Sequence, residues 1–284
     1  MSTLMYEKYF SPTSVAAAVK LKTQFKDKAL LVAGGTASVQ LVSKGFIEPE
    51  AIISLDRLPL NYVRKKGKGF EIGATTTAAA LVMEKGLPDC LIQAAQGIHG
   101  LALKETATVG GNIFTPAPGG DMAVALLSLG AELVLRGKNG TRTVPLSKFY
   151  RGPLKFNIRN DEILTAVVVR NPPRFSAFVK HTPWRYTGPS LASVSVAMDA
   201  DEVVQRINVA VGGLTPHPYL ATKVEKSLKG QKLTTEAIDR SASLLTDEVE
   251  ISETGFASKQ YLRHLVQVLY KRILNSYLEK HRGG

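Results

Sequence analysis

The stretch Leu31-Val32-Ala33-Gly34-Gly35-Thr36-Ala37-Ser38 carries an apolar run into a pair of glycines and leaves it through hydroxyl-bearing residues. Glycine frees the backbone to turn, so that unhindered N–H groups converge on an anion. A second stretch, Thr108-Val109-Gly110-Gly111-Asn112, has the same build and is followed by Asp121. One such turn is a common connection between a strand and a helix. Two in one chain suit a ligand whose adjacent phosphates are flanked by sugars and rings, gripped from both sides by amides, with side-chain donors added. Asp121 would accept hydrogen bonds from ribose hydroxyls or ring N–H groups; its plain structural reading is a helix cap.

Working outward, Ala29 to Ala33 reads as a buried strand entering the first turn, Val39 to Val42 as a short helix and Ala51 to Leu55 as a second strand. The basic segment between Asn61 and Gly73 reads as a hairpin tip whose second arm is Gly69 to Gly73. Thr75-Thr76-Thr77 would cap an Ala-rich helix that buries Ala78, Leu81 and Val82, and a further helix spans Pro88 to Ile98. Phe114 to Gly120, with paired prolines and glycines, is expected to be irregular, and Asp121 to open a helix. Strands follow at Glu132 to Arg136, Thr141 to Val144 and Ile163 to Val169. Asn139-Gly140-Thr141 forms a glycosylation sequon, but Asn-Gly between two strands reads first as a tight hairpin turn.

Asn171-Pro172-Pro173-Arg174 marks a domain boundary, because paired prolines favour an extended connection outside any sheet. The expected division is residues 1–172, then residues 173–284. Beyond it, strands at Leu191 to Met198 and Val203 to Val211 alternate apolar with polar residues, and three helices follow, the second capped by Thr234 or Thr235. The last, from about Ser258 to Leu278, gathers Leu262, Leu265, Val266, Leu269, Ile273 and Tyr277 on one face.

Composition narrows the function. The 284 residues carry a formal charge of +12, but the basic residues are scattered and not interleaved with aromatics as a nucleic-acid platform requires, so nucleic-acid binding is not expected. No run approaches the roughly 18 apolar residues of a membrane span, and the N-terminus lacks a signal-peptide pattern, so the expected setting is the cytoplasm. A single cysteine, Cys90, cannot hold an iron–sulfur cluster or a thiolate zinc site, and the five histidines are mutually isolated, so no metal site is expected in this chain. There is no Walker P-loop, paired-histidine metalloprotease helix or nucleophile-elbow serine, and Gly67-Lys68-Gly69 lacks the following helix of a dinucleotide fingerprint. No catalytic residue is assigned.

Over nearly its whole length the chain resembles the FAD-binding subunit of the molybdenum hydroxylases, which includes the medium chain of carbon monoxide dehydrogenase and the flavin subunit of xanthine dehydrogenase. Leu31 to Ser38 is similar to the family's Ala-Gly-Gly-Thr motif, and Thr108 to Asn112 to its Thr-Ile-Gly-Gly-Asn motif. Asp121, Leu164 in Asp161-Glu162-Ile163-Leu164, and Lys180 in Ala177-Phe178-Val179-Lys180 fall where similar proteins contact flavin. Tyr261 to Val266 is similar to the family's closing helix. Ala37, where many relatives carry a polar residue, and Leu103 depart from the pattern, and both bear on the adenosine end.

The resemblance implies an α+β FAD-binding fold of the vanillyl-alcohol-oxidase (PCMH) type over residues 1–172, in two subdomains of about 1–56 and 57–172, followed by an αβ C-terminal domain with a three-stranded sheet and a helical bundle. It implies non-covalent FAD held by Leu31, Val32, Ala33, Gly34, Gly35, Thr36, Ala37, Ser38, Thr108, Val109, Gly110, Gly111, Asn112, Asp121, Leu164 and Lys180. Amides of Gly34, Gly35, Gly110 and Gly111 would meet the diphosphate, Thr36, Ser38, Thr108 and Asn112 would add donors, and Lys180 would lie near the flavin ring. It further implies a small iron–sulfur subunit with two [2Fe–2S] clusters, a large subunit with a molybdenum cofactor, a dimer of heterotrimers, and an acceptor such as NAD or quinone. Flavin exchanges electrons singly or in pairs, so the implied activity is a relay. The alternative is a self-sufficient flavin reductase on the same type of fold, which needs its own substrate pocket and proton donor.

Overall fold

Parallel pairing around the first glycine stretch organises the N-terminal lobe. Strand β1 (Lys8–Phe10) leads to α1 (Val15–Phe25), capped by the Ser14 hydroxyl, which accepts from the Ala17 amide at 3.2 Å. Then come β2 (Ala29–Val32), α2 (Ser38–Ser43) and β3 (Ala51–Ser54). The strands align in the order β1-β3-β2, all parallel, and parallel neighbours require crossovers, which α1 and α2 supply. The turn Ala33 to Ala37 therefore leaves the carboxyl end of a parallel strand, where open α/β sheets present ligand sites. The computed structural model describes residues 6–115, 120–184, 188–252 and 256–281.

The second lobe is antiparallel. The hairpin of β4 (Val63–Lys66) and β5 (Gly69–Gly73) precedes five helices: α3 (Ala78–Met83), α4 (Asp89–Gln96), α5 (Leu101–Thr106), α6 (Val109–Phe114) and α7 (Asp121–Ser128). The chain returns through β6 (Glu132–Gly137), β7 (Gly140–Pro145), a small hairpin of β8 (Tyr150–Gly152) and β9 (Lys155–Phe156), and β10 (Ile163–Val169). The sheet order is β4-β5-β10-β6-β7, so β10 closes the lobe at its centre. Thr77 caps α3 as its triple-threonine run suggests, with its hydroxyl accepting from the Ala80 amide. Helix α7 is buried along its whole length, because it lies between this lobe and the sheet that follows.

That sheet is formed by β11 (Phe175–His181), β12 (Ala192–Ala200), β13 (Val204–Gly212) and a two-residue β14 (Tyr219–Leu220), in chain order and antiparallel. The three long strands match the expected three-stranded sheet, and β14 extends its edge. Helices α8 (Thr222–Leu228), α9 (Thr235–Glu248, capped by Thr234) and α10 (Lys259–His281) cover one face. Period-two alternation sends Val194, Val196 and Met198 of β12 into those helices and Ser193, Ser195 and Ala197 toward α7. The polar positions, which in an antiparallel sheet usually face water, are thus buried. Ser195 Oγ lies 2.7 Å from Ser128 Oγ, and Ser176 Oγ accepts from the Cys90 amide at 3.2 Å.

The structure is α+β, with helices and sheets arranged as expected, and it adds β1, α1, α5 and β11, which sequence periodicity does not reveal. It also corrects one local reading. Val109 to Phe114 is helical, so Phe114 ends a helix rather than opening an irregular loop; Pro116 to Gly119 lie outside the described residues. Among the described residues no helix is long and apolar enough to cross a membrane.

The two lobes meet at Gly34. A Cβ there would overlap the backbone carbonyl oxygen of Thr106, so only hydrogen lets the first glycine turn lie against the entry to the second. We expect Gly34→Ala to cost more than about 3 kcal/mol in urea unfolding, because backbone has to move. Gly45→Ala, at φ +70° with open space around it, is the control and should cost about 1–2 kcal/mol.

Candidate functional site

A cleft of about 330 Å³ runs along the Gly34–Thr106 contact. One wall is the first turn, Leu31 and Ala33 to Ser38; the other is Thr108, Gly110 and Gly111 with Ala74 and Thr75 behind them; Ile158 to Asn160, Glu162 and Leu164 close one side. The two glycine motifs, far apart in sequence, thus face one space. Of the sixteen residues singled out from sequence, Val32, Val109, Asn112, Asp121 and Lys180 do not line it.

The two motifs are chemically unlike. In the first, Gly35 takes φ +71°, a conformation other residues rarely adopt, and its carbonyl accepts from the Val39 amide as α2 begins. Among the described residues the amides of Gly34, Gly35, Thr36, Ala37 and Ser38 donate to no protein acceptor. Consecutive unspent N–H groups at a strand-to-helix turn form an anion-binding concavity. The second motif has spent its amides. Gly110 N donates to Ala74 O at 2.8 Å, and Gly111 N to the N-cap hydroxyl of Thr108 at 3.1 Å. The expectation that Gly110 and Gly111 offer amides to a diphosphate is therefore corrected. Helix formation takes those donors, and the motif contributes a bare backbone surface instead.

That surface is well anchored. Val109 N donates to Thr76 O and Ala78 N to Ala107 O, while the Thr76 hydroxyl bridges the backbone N–H and C=O of Tyr62. A Cβ on Gly110 would come within 2.8 Å of Ala74 O, whereas one on Gly111 would meet only the Thr108 hydroxyl, at 3.0 Å. Gly111 is exposed on the cleft side. Asn112, expected to add a donor, is buried, and its Oδ1 accepts from the Ala123 amide at 3.0 Å, joining α6 to α7.

Asp121 and Lys180 meet outside the cleft lining. Lys180 Nζ donates to Asp121 Oδ2 at 2.7 Å and Ser190 Oγ to Oδ1 at 2.7 Å, with the carboxylate 6 % exposed. Period two on β11 puts Ser176, Phe178 and Lys180 on the face toward α4 and α7, which is why the lysine reaches the first residue of α7. Asp121 is not the cap of α7; that position is Gly120. His99 stands near this pair: burial first, then the charges of Lys180 and Lys104, push its imidazole below its ordinary pKa, against the opposing pull of Asp121.

Charge inside the cleft is restrained. Glu162 is 3 % exposed, yet Arg142 grips it through two bonds, of 2.6 and 2.8 Å, and the Arg159 amide donates to it at 2.7 Å. Burial works against its charge, but Arg142 and the Arg159 amide prevail and hold the carboxyl below its ordinary range. The Lys22 ammonium donates to the carbonyls of Lys26 and Ala29, and burial lowers its pKa. Among the described residues none that lines the cleft is cysteine or histidine, and Cys90 is buried elsewhere, its thiol pushed up to about 11 by burial. Among the described residues no group of three metal-ligating side chains is assembled.

Of the loop from Ile158 to Glu162, the sequence marks only its end, within the Asp161-to-Leu164 motif; Ile158, Arg159 and Asn160 are not legible as site residues. The loop has no glycine signature, and its position depends on Glu162 reaching Arg142 twenty residues away. The donor set fits a nucleotide diphosphate: unspent amides at Gly34 to Ser38, hydroxyls at Thr36 and Ser38, and apolar walls from Leu31, Ala33 and Leu164 for a ring.

Residues 4–172 match the family model of the FAD binding domain in molybdopterin dehydrogenase, and residues 188–277 that of the CO dehydrogenase flavoprotein C-terminal domain. The carbon monoxide dehydrogenase medium chain of Hydrogenophaga pseudoflava is 29% identical over 281 residues, covering 94% of this chain and 96% of the relative. The glyceraldehyde dehydrogenase medium chain of Sulfolobus acidocaldarius is 27% identical over 266 residues, covering 92% and 94%. Among solved structures, a carbon monoxide dehydrogenase from H. pseudoflava lacking the Mo-pyranopterin moiety of its molybdenum cofactor superposes with a TM-score of 0.90 at 27% identity, covering 96% of this chain and 98% of that one.

Two outcomes follow from the electrostatics. Because the folded Glu162 carboxyl titrates below its unfolded value of about 4.3, its contribution is complete above that pH and is lost as pH falls through the lower folded value. Urea unfolding should weaken steeply below about pH 4.3, and less steeply in Arg142→Met. Removing the Lys180 charge with Lys180→Gln should raise the His99 pKa in an NMR titration; an unchanged value would contradict their proximity.

Proposed function

This chain belongs to the FAD-binding family of the molybdopterin dehydrogenases, an oxidoreductase family, and we propose that it is the electron-relay subunit of such an enzyme. One observation carries the reading: the glycine turns of the two lobes converge on one cleft, and the first presents its amides unspent. Bound there, FAD would supply the exchange between one-electron and two-electron carriers.

The residues divide the work. Amides of Gly34 to Ser38, with the hydroxyls of Thr36 and Ser38, would hold the diphosphate by charge-assisted hydrogen bonds. Bare backbone at Gly110 and Gly111 lets the ligand approach α6 closely, and Thr108 fixes that helix from its cap. Leu31, Val32, Ala33 and Leu164 supply apolar packing directly or from the strands behind, while Val109 and Asn112 position the second wall from within. Asp121 and Lys180 form a polar pair that would meet the flavin ring from the C-terminal side, holding a positive charge where reduction builds negative charge. We take residues 1–172 as the flavin domain, in lobes of about 1–56 and 57–172, and 173–284 as the C-terminal domain; the Asn171-to-Arg174 segment, which lies outside both β10 and β11, supports this division.

In this reading the chain works in the cytoplasm beside a small subunit carrying two [2Fe–2S] clusters and a large subunit carrying the molybdenum cofactor, as a dimer of heterotrimers, and passes electrons to NAD or quinone. A single cysteine in this chain supports placing the clusters on a partner. The self-sufficient reductase is the weaker reading, because among the described residues no histidine, cysteine or tyrosine lines the cleft as a proton donor.

The full complex, purified gently, should show flavin and iron–sulfur absorption bands together. Gly111→Val should cost no more than about 2 kcal/mol in unfolding, since a Cβ there meets only the Thr108 cap hydroxyl, and should lose bound FAD. Full FAD occupancy in a folded Gly111→Val protein would contradict the proposed second wall.

A further inference from the structure

Among the described residues three charged side chains line the cleft: Lys22, Arg159 and Glu162. Two of them are already committed. The Lys22 ammonium closes the end of α1 through the carbonyls of Lys26 and Ala29. The Glu162 carboxylate accepts both bonds of the Arg142 guanidinium and the Arg159 amide. The Arg159 guanidinium differs. Its nearest carboxylate oxygen is Glu162 Oε1 at 3.9 Å, its side chain is 66 % exposed, and among the described residues it donates no side-chain hydrogen bond.

Its backbone, by contrast, is fixed. Arg159 N donates to Glu162 Oε2, Glu162 N donates back to Arg159 O at 3.0 Å, and Arg142 holds both the Glu162 carboxylate and, at 3.0 Å, the Asn157 carbonyl. Arg142 neutralises Glu162 and carbonyls occupy the Lys22 ammonium, so among the described residues Arg159 is the cationic side chain of the cleft whose hydrogen-bond donors are unspent, and it lines the same space as the unspent amides. Such a placement pre-organises a planar donor for a phosphate oxygen without the entropy of ordering a loop.

Building on the flavin reading above, we propose that Arg159 is the counter-ion of the bound dinucleotide's diphosphate, and that it sets the preference of this site for FAD over unphosphorylated flavin. The Glu162–Arg142 clamp acts through Arg159: it positions the loop and cancels the one carboxylate that would otherwise repel the ligand.

The test measures the affinity of the full chain, stripped of flavin, for FAD and for riboflavin, by quenching of flavin fluorescence. Arg159→Ala should weaken FAD by about 10- to 100-fold, the scale of one hydrogen bond to a charged group, and leave riboflavin within about twofold. Arg159→Lys should recover part of the loss, and added salt should weaken FAD less in Arg159→Ala than in the parent. Unchanged FAD affinity in Arg159→Ala, or an equal loss for FAD and riboflavin, would overturn the assignment while leaving the flavin reading intact. A parent chain that binds neither would overturn that reading, and this one with it.

Discussion

The contact of Gly34 with the Thr106 carbonyl is the constraint on which the rest depends. A parallel three-stranded lobe and an antiparallel five-stranded lobe have no reason of their own to share a cleft. They share one because hydrogen, and nothing larger, separates the first glycine turn from the strand-like entry to α6. Held there, the turn keeps its amides free of protein acceptors among the described residues. The fold leaves these donors to solvent or ligand, a local cost that the three hydrophobic clusters offset.

The second wall works by the opposite means. Its glycines are valuable for the side chains they lack, since their amides are bound to Ala74 and Thr108. An anion site usually needs either free donors or unobstructed approach at each surface, and here the two walls divide those requirements. The C-terminal sheet enters from a third direction. Its small residues pack against α7 through buried hydroxyls, and Lys180 reaches Asp121 across that seam, so the position of α7 is tied to both halves of the chain. Ser193 Oγ, buried in the same seam without a partner among the described residues, shows how tightly small side chains are used there.

Sequence revealed most where local chemistry decides the outcome. The first glycine turn, the threonine caps at Thr77 and Thr234, a hairpin between β6 and β7 and the apolar face of α10 have local causes and appear in the structure, although that hairpin turns at Lys138-Asn139 with Gly140 opening β7. What it hid is non-local. The helicity of Val109 to Phe114 overrides the low propensity of two glycines because Thr108 caps it and Ala74 and Thr76 anchor it. Strand β11 escaped notice because Ser176 and Lys180 on its inner face look like exposed residues until α4 and α7 cover them. Arg159 gave no signal, because what places it is Glu162, held in turn by Arg142 on β7.

The central claim is that the unspent amides of Gly34 to Ser38, across from bare backbone at Gly111, hold the diphosphate of FAD. The most direct measurement is a density map of the FAD-loaded protein that resolves both phosphates. The account predicts phosphate oxygens about 3 Å from at least two of those amide nitrogens, with Gly111 at van der Waals distance. A diphosphate bound elsewhere, with the amides of the first turn facing only water, would contradict it.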